Sequence, residues 1–141
     1  LFGQLGQRVG PKRMILVGLF VYGVITVLAY FMSESWHFVV LAMLVGAVQG
    51  GTQGLSRSLF ASMIPPHKSA ELFAFFGVFE KFASILGPLL VGVVIAWTGS
   101  AQSAILSVLV FFVSGAALLA RVNVAEGRRA ASEAEAVVRT V

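Results

Sequence analysis

Gln49, Gln53 and Arg57 recur at every fourth position, a spacing that stacks them on one face of an α-helix. Two amides and a guanidinium in line can hold a polar or anionic solute through directed hydrogen bonds. A purely architectural reading stands beside this one: the amides bond across to a neighbouring helix, and Arg57 carries its charge out to an interface. Glu80 and Lys81 form the second constellation. Adjacent helical positions point about 100° apart, so each charge needs a partner on another helix or in a water-filled cavity. A carboxylate removed from water can carry a proton, which suits coupling or gating, while the nearby Lys81 opposes that shift. The same two residues also suit a static ion-pair lock between helices. Enzyme chemistry finds less support. The chain has no cysteine and no aspartate, which excludes thiolate metal sites, cysteine nucleophiles and a Ser-His-Asp triad. His37 and His67 fall near opposite ends of the apolar segments, so they cannot share a metal, and both read as interfacial residues. The residues therefore imply no enzyme, no metal and no cofactor.

The elements that must position these groups are long and apolar. Of the 141 residues, 58% are hydrophobic and only 11% charged, far below the roughly 25% charged residues of soluble domains. The net charge of +4 does not point to nucleic acid, because the basic residues sit between apolar runs and form no basic face. Residues 14–33, 35–56 and 82–120 carry no charge, and about 20 apolar residues suffice to span a bilayer. The third run must break once, most naturally at Thr98-Gly99-Ser100. An all-α membrane protein follows: a loop over 1–13, four transmembrane helices near 14–32, 36–64, 71–97 and 102–120, and a tail over 121–141. Pro65-Pro66 stops the second helix, and the glutamates and arginines after Val122 predict a short solvated helix.

Polarity is unequal among the spans. The first and fourth offer only hydroxyls such as Thr26 and Ser107, and read as lipid-facing supports. In the second, Gly46, Gly50 and Gly54 repeat the small-residue spacing that admits a close helix neighbour beside the polar stripe. In the third, Glu80 lies nine residues beyond Glu71, about 14 Å along the axis, which predicts a position near the midplane. Pro88 removes the bond to the Ser84 carbonyl, and with Gly87 it predicts a kink. Arg8, Lys12, Arg13, Lys68, Arg121, Arg128, Arg129 and Arg139 all fall on one side of these spans, whereas the opposite turns hold only Glu34. The positive-inside rule then places both termini in the cytoplasm, with Tyr30, Trp36 and Trp97 at the outer boundary.

The amino end, Gly3-Gln4-Leu5-Gly6-Gln7-Arg8-Val9-Gly10-Pro11-Lys12-Arg13, resembles the cytoplasmic loop signature of the major facilitator superfamily. Gly3, Leu5, Arg8, Gly10, Lys12 and Arg13 match that pattern, and Gln7 stands where it has an aspartate. The run from Gly50 to Phe60, Ile64-Pro65, Glu71, Lys81 and Gly87-Pro88-Leu89-Leu90 resembles the autophagy-related vacuolar amino-acid effluxers and their bacterial relatives. The resemblance extends to about Arg129. It implies the last four helices of a twelve-helix permease in a prokaryotic cytoplasmic membrane, with the preceding helices as partners. It also implies secondary transport of a small solute by alternating access, with amino acids as candidate cargo and protons as a candidate coupling ion. A start inside a basic loop fits the end of a longer protein. The competing expectation is a complete four-helix protein that self-associates through Gly46, Gly50 and Gly54, as a small exporter or a scaffold.

Overall fold

The computed structural model describes residue 6 and residues 8–140; Gly3, Leu5 and Gln7 of the loop motif lie outside the described residues. Helix α1 (Pro11–Tyr30) opens with Pro11, whose missing N–H would have had no partner in the first turn. Gly10 precedes it at φ 96°, a backbone conformation that favours glycine. Helix α2 (Ser35–Ala61) ends three residues before the expected boundary. The ring of Pro65 would meet the carbonyl of Ala61 in a continuing helix, and Ile64 is driven towards extended backbone by the proline after it. A single 3₁₀ turn, Pro66–Lys68, leads into α3 (Ser69–Thr98).

Helix α3 runs unbroken through Pro88. It stops at Gly99, which adopts φ 66° and returns its N–H to the Ile95 carbonyl at 2.8 Å. Ser100 caps α4 (Ala101–Arg121) by accepting from the Ser103 N–H. Asn123 does the same for α5 (Val124–Arg139) through the Glu126 N–H, and α5 is the solvated tail helix expected from its charges. The described residues form no strand, and α1 to α4 are each long and apolar enough to cross a membrane.

The four long helices pack in the order α2, α1, α4, α3, with α1 against α2 and α4, and α3 against α4. Within this chain α1 is thus the most enclosed helix. The sequence explains the close approach of α1 to α2. Gly18 lies so near Thr52 that a Cβ there would come within 2.6 Å of Oγ1. Below it, Met14 and Ile15 of α1 pack on Leu55 and Leu59 of α2, with Leu19, Met63, Leu119 and Val124 around them. Tyr22 stacks on Phe112 of α4 at a centroid distance of 5.3 Å. Little else is enclosed: Phe79 and Met43 are 72% exposed and Trp97 86%. Surfaces of this kind suit a bilayer or further helices, not water.

Candidate functional site

Helices α2 and α3 stand at the two ends of that packing order and meet through long side chains. Arg57 Nη2 donates to both oxygens of Glu80, at 3.1 Å to Oε1 and 2.8 Å to Oε2. The partner that Glu80 requires on another helix is therefore Arg57, a residue of the predicted polar stripe. The side chains remain 59% and 42% exposed, on a face open to further protein or water. A cavity of about 320 Å³ adjoins the pair, with Gln53 on the α2 side and Phe76 and Phe79 on the α3 side. Thr52 and Ser56 also line it, but their hydroxyls donate within their own helix, to the carbonyls of Val48 and Thr52. The polar side chains of the lining not bonded within their own helix are Gln53, Arg57 and Glu80.

One side of this site is closed by aromatic rings. Phe60 of α2 packs on Phe73 and Phe76 of α3, with centroids 5.4 and 4.9 Å apart. Arg57 lies four residues from the end of α2, about 6 Å along the axis, so the pair sits nearer the basic end of the bundle than its middle. Glu80 itself lies eleven residues into α3, about 17 Å from its first residue. At 30 residues α3 is about 45 Å long, longer than the roughly 30 Å hydrocarbon layer.

Other expected site residues stand apart. Gln49 is exposed one turn further along α2, outside the cavity lining, and Lys81 has no ion pair among the described residues. Gly87 and Pro88 lie two turns beyond Glu80 on α3 and do not line the cavity. A Cβ at Gly46, Gly50 or Gly54 would meet nothing within 4 Å, so within the chain the close approach belongs to Gly18 instead. Gly50 and Gly54 border a separate groove of about 650 Å³ beside Gly10 and Arg128.

Sequence reasoning did not single out Phe76, Phe79 and Ala83, although with Glu80 they follow the i, i+3, i+4, i+7 spacing of one helix face. Nor did it assign Lys12 its contacts. Lys12 Nζ donates to the carbonyls of Ala120 and Val122 at 3.0 and 2.7 Å, closing the last turn of α4. Arg8 and Arg13 are exposed. Among the described residues no cluster of three or more His, Cys, Asp or Glu could hold a metal. His67 instead lies with Nδ1 2.9 Å from Oε2 of Glu135.

Charged side chains within apolar spans are rare and mark functional sites by default. Residues 9–132 match the family described as "Vacuole effluxer Atg22 like". The chain belongs to this vacuole effluxer family. An uncharacterized MFS-type transporter of Bacillus subtilis, YxiO, is 44% identical over 85% of the chain, which covers 28% of that protein. Autophagy-related protein 22 of Yarrowia lipolytica is 31% identical over 94% of the chain, and that of Gibberella zeae 34% over 92%. The chain covers 24% and 18% of those two proteins, so it spans about a quarter or less of the length of these effluxer-family relatives. No solved structure matches. The chain is a multi-pass membrane segment of this family.

Proposed function

We propose that this segment forms one wall of the solute path of a secondary transporter, and that the Arg57–Glu80 pair gates it. The observation that carries the reading is the placement of that pair between α2 and α3, the helices at the two ends of the packing order, which meet through side chains. A charged side chain facing lipid within a span is costly, with about 2.5–3.5 kcal/mol at the centre as the upper end on insertion scales. Gln53, Arg57, Glu80 and Lys81 all lie exposed on this chain, so the face between α2 and α3 must meet water or further spans of the same transporter. In alternating access the pair and the ring cluster of Phe60, Phe73 and Phe76 close the path on the basic side. Opening separates α2 from α3 and frees Arg57 for an anionic group of the solute and Glu80 for a cationic one. A zwitterionic amino acid has both groups, which makes amino acids the favoured cargo. Glu80, once unpaired, can take up a proton and so couple the cycle to a gradient. The basic end of the bundle faces the cytoplasm, by the distribution of Lys and Arg.

The test uses the full-length transporter in proteoliposomes. Glu80→Gln keeps the size of the side chain and removes its charge. Loss of a charge-assisted contact of about 1.5–3 kcal/mol predicts a fall in transport of about tenfold or more, with membrane expression unchanged. Full transport by this variant overturns the gating role. The exchanged pair, Arg57→Glu with Glu80→Arg, separates the two readings of the contact: recovery of transport identifies a static lock, and continued loss identifies groups that engage solute or proton.

A second reading, self-association of the four helices, has one observation in its favour, the open stripe of Gly46, Gly50 and Gly54. Cross-linking through Gly50→Cys distinguishes them. A disulfide between two copies supports self-association, and a disulfide to a cysteine elsewhere in the same transporter supports the permease.

A further inference from the structure

Helix α5 folds back beneath the connection between α2 and α3, the two helices that carry the site. Three contacts hold it there. His67 of the 3₁₀ turn meets Glu135 at 2.9 Å, Arg128 Nε donates to Ser62 Oγ at 3.2 Å, and Gly127 lies against the Met63 side chain. A Cβ at Gly127 would come within 3.1 Å of Met63 Cγ and Sδ, so the helix sits close to the link. Ala131, midway between the polar contacts, is 8% exposed. The His67 and Glu135 side chains are only 27% and 24% exposed, well below the 81% and 66% of the surface pair Arg129–Glu133. Each contact falls on the short segment from Ser62 to Lys68 through which any movement of α2 relative to α3 must pass. The transport described above uses none of these groups.

We propose that α5 is a proton-sensitive latch on the α2–α3 link, held by the contact of His67 with Glu135. Histidine is the side chain whose charge ordinarily changes between about pH 5 and 8. When His67 is protonated the contact is an ion pair with a charge-assisted hydrogen bond, and when it is neutral the charge is gone. The other charged groups carried nearby are Lys68 on the link, Glu71 on the first turn of α3, and Arg128 and Arg139 on α5. Arg139 lies 3.8 Å from Glu135. The hydrogen bond from His67 holds the Glu135 carboxyl below its ordinary range, helped by the charges of His67 and Arg139 and opposed by partial burial. A lowered carboxylate contributes above its usual titration and is lost as pH falls through the lowered value. At the other limit, loss of the His67 charge leaves at most a neutral hydrogen bond to Glu135. The latch therefore holds best in mildly acidic solution and loosens towards alkaline pH. Its consequence for transport, restraint of α2 against α3, rests on the proposed gating role, but the docking of α5 does not.

Spin labels test the docking without any transport assay. In the full-length transporter, with any cysteine outside these 141 residues replaced, Ala70→Cys and Ala130→Cys label the start of α3 and the exposed side of α5 in nanodiscs. A contact of this strength predicts that the ratio of short to long label distances falls about two- to fivefold from about pH 6 to about pH 8.5. His67→Gln is expected to abolish that pH response, and His67→Arg to keep α5 docked throughout. A wild-type distance distribution that does not change with pH overturns the latch. So does an unchanged pH response in His67→Gln.

Discussion

At the scale of single residues, the chemistry of the chain rests on where a few polar groups find partners. Arg57 and Glu80 satisfy each other. Removing one leaves the other without its partner on an apolar span, so Arg57→Ala is expected to harm transport and stability together, whereas Glu80→Gln harms transport first. Thermal unfolding in detergent beside the flux assay separates the two effects. Lys12 shows that a residue of the loop motif also serves the structure. Its ammonium bridges the carbonyls of Ala120 and Val122, a contact between the two ends of the bundle's polypeptide. Lys12→Met keeps most of the stem and removes these bonds. A loss of about 1–3 kcal/mol in unfolding free energy is expected, and a denaturant titration in micelles measures it; no change means that water replaces the bonds at no cost.

Among the elements, the fit of α1 to α2 depends on one glycine facing one threonine. Gly18→Ala places a methyl where Thr52 Oγ1 already sits, and overpacking of this kind costs about 1–3 kcal/mol. Thr52→Ala opens that space, so the double variant is expected to recover most of the loss, and the same unfolding measurement reads all three proteins. Gly46→Ala makes no such clash within the chain, because open space surrounds it. If Gly46→Ala nevertheless impairs the full transporter, a helix from elsewhere seats on this stripe; if it is silent there as well, the glycine spacing has no packing role. Helix α3 makes a related point. Pro88 removes one backbone bond, yet the helix stays continuous, while the Ser84 hydroxyl donates to the Lys81 carbonyl one turn earlier. A proline inside a helix removes one bond and is where a bend is expected.

For the whole molecule, orientation is the property most open to measurement. The basic flanks predict that Arg128→Cys is labelled only after the membrane is made permeable, whereas Ser100→Cys reacts with an impermeant thiol reagent from outside. The reverse pattern would invert the proposed topology. Four spans, their turns and the tail helix were legible in the sequence because each follows from quantities counted along the chain. Apolar run length marks the spans, Pro65-Pro66 and Gly99 mark their ends, and the glutamates and arginines after Val122 mark the tail helix. The polar stripe was legible for the same reason, since a spacing of four residues fixes a face. Which stripe meets which was not legible. Arg57 and Glu80 belong to different helices, and their contact follows only once Gly18 has seated α1 on α2 and α4 has carried α3 round to the other end. The enclosed place of α1, the cap from Lys12 and the contact of His67 with Glu135 arise in the same way. The sequence by itself determined the elements, because hydrophobic length and backbone chemistry act locally. The tertiary structure alone decided the partners, because packing joins residues across distances that no local pattern encodes.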